Sequence, residues 1–357
     1  MIEYLNFLDT VLCFDIADDA LPGFAAVRRF FRHSLSEQPT GEPTFRIGVH
    51  AYRPDHDVPG AVWAIEPSVI RRSSAVEFCF DAHVVADGHR RRYVNRATYL
   101  DAPRDARTDP TFDLRVSAGS TIQVIDFVRD LLIRNQEALG TVVLHASGAT
   151  DGEVAIAIAG PKGAGKTTTL LSVLRRPGWS YFTGDKLFCR PVDGGVEVYP
   201  WRDYPYVGVG TIRADPDLTD LVRREVDPGL DQRAPTEKLL LDPEVFESWL
   251  GSEFSATPRR LAAILLPRVR PGEPLTTRAL TEPNERWAQL NRIIDRQADT
   301  TFFTWQSHLV PDYTAFFAAL ARLPERLAAV PMIALSGTLD VDADAVLDRH
   351  RPPPVQP

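Results

Sequence analysis

The sequence predicts an α/β fold on a mixed sheet, preceded by a β-rich α+β portion. Three observations lead there. Residues 155–174, AIAIAGPKGAGKTTTLLSVL, run from an apolar strand pattern through a glycine-rich turn into a helical one. Asp-Gly pairs at 87–88 and 151–152, and Asp193-Gly194-Gly195, each lie between alternating apolar runs and mark hairpins. Ile122, Ile125, Phe127, Val128, Leu131 and Leu132 recur at helical spacing just before the second hairpin.

Along the chain, residues 1–118 read as the β-rich domain, with VEFCFDAHVVADGHRRRYVNRATYL (76–100) as its clearest hairpin. The polar, proline-containing DAPRDARTDPTFD (101–113) reads as a loop or seam. Residues 119–340 form the second domain. Its first helix opens on Ser120 with Gln123 three residues later, a capping-box pattern. TVVLHASGAT, a turn and EVAIAIAG follow as a hairpin, then a helix near 166–175, WSYFTGD, and the hairpin KLFCRPV–VEVYPW. Helices are expected near 242–250, 283–296 and 312–322, with buried strands LAAILLP (261–267) and VPMIALSG (330–337). Residues 341–357 read as a short helix and a flexible tail, RPPPVQP.

At 357 residues the chain is long enough for one or two domains. A net charge of −8 argues against a general nucleic-acid binder. Cys13, Cys79 and Cys189 show no metal-ligand spacing and suit a reducing compartment. No apolar run approaches the roughly 20 residues a bilayer span needs, and the N-terminus lacks a basic leader segment. A cytoplasmic location without membrane attachment is the expectation.

The glycine-rich turn, Gly160-Pro161-Lys162-Gly163-Ala164-Gly165-Lys166-Thr167, fits G-x-x-x-x-G-K-[ST], and Thr168 extends it. Glycines reach the positive-φ conformations that aim successive N–H groups into one concavity, without a Cβ in the way. The helix that follows directs its positive end at the same spot. Lys166 is the candidate for the β- and γ-phosphates of ATP or GTP, and the Thr167 hydroxyl the candidate Mg²⁺ ligand. A Walker B strand ending in aspartate is missing downstream, since LAAILLP ends at Pro267-Arg268. The nearer carboxylate is Asp185, one helix and one short strand after the turn. It is placed either to hold Mg²⁺ or to take a proton from an attacking hydroxyl; the bland alternative is a turn aspartate.

VVLHASGATDGEVAIAIAGPKGAGKTTTLLSVL…WSYFTGDKL resembles the core of the HPr kinase/phosphorylase-like kinases, whose phosphate loop also resembles that of the ATP-dependent phosphoenolpyruvate carboxykinases. The resemblance runs over about 120–335 and is specific in its first third. It implies a kinase core of the HPr kinase C-terminal type. It also implies an ATP- and Mg²⁺-dependent transfer to a hydroxyl of a peptide, protein or small-molecule acceptor, and a homo-oligomer, as is common in that family. Carried over by position, Gly160, Gly163, Gly165, Lys166 and Thr167 form the phosphate and metal loop. Asp185 is then the acid and His145 the strand histidine near the reacting phosphate. By position alone His145 reads as a buried core residue. Lys238 in PTEKLLL and Arg233 are secondary phosphate candidates, or else a solvated face. Two departures separate the chain from the family. Thr168 stands where HPr kinases carry an acid, and Gly184-Asp185 where they carry paired aspartates. These departures put the reverse phosphorylase reaction, and HPr as substrate, in doubt. They point towards the divergent kinases found beside peptide- and natural-product-modifying enzymes.

Two other stretches carry chemistry-bearing residues. GHRRRYV (88–94) reads first as a solvated strand and second as a grip for acidic peptide or RNA phosphates. YPWRDYPYVGVG (199–210) either walls the acceptor and base or closes the core beneath the second hairpin. The other histidines form no metal-ligand grouping, and no G-x-S-x-G nucleophile turn occurs.

Overall fold

The structure is a computed structural model that describes residues 1–73, 78–201, 206–241, 243–251, 254–270, 272–295, 312–338 and 340–350. It contains two compact units, Met1–Leu139 with Arg296–Ala315, and Gly140–Asp295 with Phe316–Pro357.

The first unit has strands β1 (Ile2–Phe7) and β2 (Thr10–Ile16), helix α1 (Leu21–Phe31), β3 (Leu35–Ser36), β4 (Phe45–Ala51) and the single turn α2 (Pro54–Asp57). It continues with β5 (Ser68–Ser73), β6 (Phe78–Asp87), β7 (Arg90–Val94), β8 (Thr98–Pro103), β9 (Thr111–Val116) and helix α3 (Thr121–Ala138). The strands form one mixed sheet in the order β3-β1-β2-β4-β9-β8-β7-β6-β5. Pairing of β2 with β4 and of β4 with β9 is parallel, and α1 supplies the crossover from β2 to β4. Phe14 of β2 meets Phe24 of α1 at 5.4 Å between ring centroids, and Phe112 of β9 meets Phe127 of α3 at 5.6 Å. These aromatic contacts fix the two helices over the sheet and bury the apolar stripe of α3.

Two sequence expectations change here. The capping box at Ser120 does not form: its hydroxyl donates to the Ser117 carbonyl at 2.6 Å and accepts from the Ser117 amide at 3.1 Å, so it is engaged in the preceding turn. Helix α3 also belongs to the first unit, so the division falls at Leu139/Gly140 and not at 118/119. Its apolar face packs against α1 and β2. The hairpin around Asp87-Gly88 forms as expected, with Asp87 opposite Arg90. Arg90 binds Asp101 at 2.5 Å and also Asp109, while Arg92 binds Asp101 and Asp87. These pairings engage Arg90 and Arg92 with carboxylates of the same unit, and the half-buried strand ends on the buried Tyr93 and Val94, so 88–94 is part of the sheet and not a fully solvated strand.

The second unit has β10 (Val142–Thr150), β11 (Val154–Ala159), α4 (Lys166–Leu174), β12 (Ser180–Thr183), β13 (Lys186–Val192) and β14 (Gly195–Tyr199). Next come β15 (Tyr206–Gly208), α5 (Val209–Arg213), α6 (Pro216–Glu225), β16 (Lys238–Leu240), α7 (Pro243–Leu250) and β17 (Arg259–Val269). It ends with β18 (Thr276–Ala279), α8 (Pro283–Ile293), α9 (Thr314–Arg326), β19 (Met332–Gly337) and α10 (Ala343–His350). The main sheet is mixed, in the order β11-β10-β13-β14-β17-β19-β18, with β12 paired to β10. Strand β17 also runs parallel to β11, so the path from β11 to β17 closes on itself. Strand β11 is buried from Ala155 to Ala159, as a strand flanked on both edges should be. Tyr199 and Trp201 are buried, and Trp201 packs on Phe188 at 5.7 Å, so the start of the 199–210 stretch closes the core. Residues 202–205 of that stretch and the tail 351–357 lie outside the described residues.

In α3, Arg134 and Glu137 form an ion pair at 3.1 Å with side chains 2% and 0% exposed. Losing one partner strands a charge in the interior. We expect Glu137→Gln to destabilise the first unit by about 3–5 kcal/mol in urea unfolding, and an Arg134→Met/Glu137→Leu double variant to recover most of that loss.

Candidate functional site

Strand β10 organises the site because it is hydrogen-bonded on both edges. On one edge Ala146 lies opposite Ala159, the last residue of β11, so the glycine-rich turn begins level with His145. On the other edge Gly148 pairs with Thr183 of β12, while His145 pairs with Lys186 of β13. Gly184 and Asp185 therefore occupy the break between β12 and β13, opposite the middle of β10. The Ser147 hydroxyl donates to the Gly184 carbonyl at 2.6 Å and anchors that break.

Two residues meant to be distant in sequence terms thus become neighbours. His145 Nε2 lies 3.0 Å from Asp185 Oδ1, with the side chains 49% and 44% exposed. His145 is the one exposed position in an otherwise buried strand, so the reading of it as a core histidine does not hold. Both groups are partly exposed, where a carboxylate can accept a proton or share a metal.

The turn from 160 to 165 has the backbone that its glycines allow. Gly163 and Gly165 have φ of 81° and 102°, and Gly165 is the N-cap of α4. A methyl group built on Gly163 would meet nothing within 4 Å, so the concavity is open there. The turn is tied back by the Val269 amide, which donates to the Ala164 carbonyl at 3.1 Å. Pro161 and Lys162 are exposed, while Ala164, Lys166, Thr167 and Thr168 are half-buried. Lys166 Nζ donates to the Gly160 carbonyl at 2.8 Å. Burial holds its ammonium below the usual lysine range. Asp185 opposes that shift, and the nearby Lys238 and Lys186 reinforce it.

Lys186 and Lys238, from two other elements, thus lie near enough to Lys166 to disfavour its charge. Like charges so placed repel one another, and a polyanion relieves the repulsion. The cradle fits a polyphosphate on those grounds. Among the described residues no group of three or more His, Cys, Asp or Glu could hold a metal unaided. A Mg²⁺ held by Thr167 and Asp185 would complete its shell from phosphate and water oxygens, which is its usual habit.

Of the secondary candidates, Lys238 joins the cluster through β16, whose partner strand β15 leads into α5, and Thr211 of α5 contacts Thr168 at 3.1 Å. Arg233 does not join it: it pairs with Asp227 and, at 3.0 Å, with Glu237. Sequence reasoning missed Lys186 and Asp295, which form a direct ion pair. The sole signal for Lys186 is its place beside Asp185. Asp295 has none, because 109 residues separate it from its partner.

No family model matches the sequence, and no curated relative matches it. Among solved structures, the HPr(Ser) kinase/phosphatase from Coxiella burnetii is similar over 39% of this chain and 77% of its own, with 10% identity and a TM-score of 0.23. An overlap that slight does not establish a shared fold.

At Gly163 an L-residue would carry the strain of a left-handed conformation even though space is available. Gly163→Ala should cost about 1–2 kcal/mol in urea unfolding. Gly41→Ala, at another open position but without positive φ, should be close to neutral.

Proposed function

We propose that the chain is a Mg²⁺-dependent kinase that transfers the γ-phosphoryl group of ATP or GTP to a hydroxyl, of serine or threonine type, on a peptide, protein or small-molecule acceptor. One observation carries this reading: a glycine-rich turn with lysines near its Lys166 begins beside an exposed Asp185–His145 pair. The motif residues 160–167 and their resemblance to HPr kinase/phosphorylase-like loops supply the reaction class.

In this reading the amides of 160–165 and Lys166 hold the phosphate chain. When bound, the nucleotide supplies the phosphoryl group and Mg²⁺ disperses its charge. Thr167 and Asp185 would hold the metal through their hydroxyl and carboxylate oxygens. Asp185, oriented by His145, accepts the acceptor hydroxyl's proton as the new O–P bond forms. The work is positioning and charge neutralisation.

Among the described residues no group of three or more metal-ligating side chains forms, and this favours one second reading, a degenerate kinase that holds nucleotide as a binding module, or at most hydrolyses it. Incubation with γ-labelled ATP separates the readings. Label on an acceptor supports the kinase, free phosphate alone a hydrolase, and neither one the module.

Two outcomes are expected of variants and pH. Lys166→Ala should abolish calorimetric Mg-nucleotide binding. Asp185→Asn, which keeps an oxygen ligand for Mg²⁺ but no longer accepts a proton, should leave affinity within a few-fold and lower turnover by about 10²–10⁴. The lowered pKa of Lys166 has a defined sign for binding. A polyanion prefers the ammonium, so affinity is greatest below the Lys166 pKa and falls as pH rises through it towards about 10.4, the ordinary lysine value. Calorimetry in buffers of different ionisation enthalpy should show net proton uptake within that window.

A further inference from the structure

Lys186 sits directly opposite His145 in an antiparallel pair, and such residues project from the same face of the sheet. Its side chain is only 12% exposed, yet its ammonium lies 3.9 Å from Asp185 Oδ2 and is near enough to Lys166 to disfavour the charge there. Its direct partner is Asp295, 19% exposed. Asp295 is itself clipped to β10, through its amide to the Val143 carbonyl at 2.8 Å and through an adjoining bridge between Ile294 and Leu144. A half-submerged Lys–Asp pair is a poor stabiliser, since two apolar side chains of similar volume serve as well or better. The pair does have an effect on the site. Asp295 draws the ammonium to itself, and Asp185 keeps its closer contact, 3.0 Å, with His145.

We propose that Lys186 is a catalytic residue that neutralises charge on the phosphoryl group in flight, and that Asp295 is the positioning residue that keeps Lys186 there and off Asp185. The proposal rests on the kinase reading above. In the step, the bond between the γ-phosphorus and its bridging oxygen breaks and its electron pair stays on the leaving diphosphate. The acceptor oxygen bonds to phosphorus, and its proton passes to Asp185. Lys186 donates hydrogen bonds to the equatorial oxygens without losing a proton. This is a task for a fixed cation in a partly dry site.

The test compares MgADP with MgADP plus aluminium fluoride, a mimic of the phosphoryl group in transit, by calorimetry. Lys186→Met should lower MgADP affinity by less than about tenfold, through the loss of one nearby cation, remove about a further 10²–10³-fold of the extra affinity for the fluoride complex, and lower kcat similarly. Lys186→Arg should restore part of both. Asp295→Asn should show the same split at about a tenfold level with MgADP affinity kept. If Lys186→Met fails to fold, the charge-neutral Lys186→Met/Asp295→Asn variant takes its place. Equal losses for MgADP and its fluoride complex, or no loss for either, overturn the assignment while the kinase reading stands. Wild-type protein that binds neither overturns the kinase reading itself.

Discussion

Strand β10 is bonded along both edges, and the site depends on that constraint. Its register with β11 fixes where the glycine-rich turn starts, and its register with β12 and β13 fixes where Asp185 and Lys186 fall. A shift of one residue in either pairing would turn His145 into the core and Ala146 out of it. The buried neighbours Leu144 and Ala146 make that slip expensive, so the hydrophobic pattern of one strand holds the chemistry in line.

On this template the charges arrange themselves in two opposed groups. Lys186 and Lys238 lie within electrostatic range of Lys166, and Asp185 and Asp295 oppose them. Such a cluster is a poor choice for a resting core and a good one for a polyanion. Asp185 acts on Lys166 through its charge, and its contact with His145 limits how it can turn.

Local signals made much of this legible in the sequence. The Asp-Gly turns gave three hairpins, because a connection of two or three residues leaves little choice of register. The turn at 160–167 was readable because its glycines and lysine are contiguous. Asp185 was readable because one helix and one short strand bring it back beside the same strand. What could not be read was non-local or contested. Asp295 meets Lys186 only because the end of α8 is clipped to β10, which no spacing reveals. The capping pattern at Ser120 lost to a competing bond with Ser117, and α3 was drawn to the first unit by Phe112 and Thr10, with which Phe127 and Gln136 make contact. His145 looked like a core residue because the run around it is apolar; only its register opposite Lys186 brings it to the surface.

The bond from the Val269 amide to the Ala164 carbonyl has a mechanical meaning. It leashes the crest of the glycine-rich turn to the far end of β17, a strand that runs parallel to both β11 and β19. The entropy lost in shaping that crest is therefore surrendered while the sheet assembles, so that an anion bound there would meet a ready mould instead of a slack loop. Grip and sheet integrity are thus one property, and fraying at the β17 terminus loosens the mould without touching a single atom that a ligand would contact.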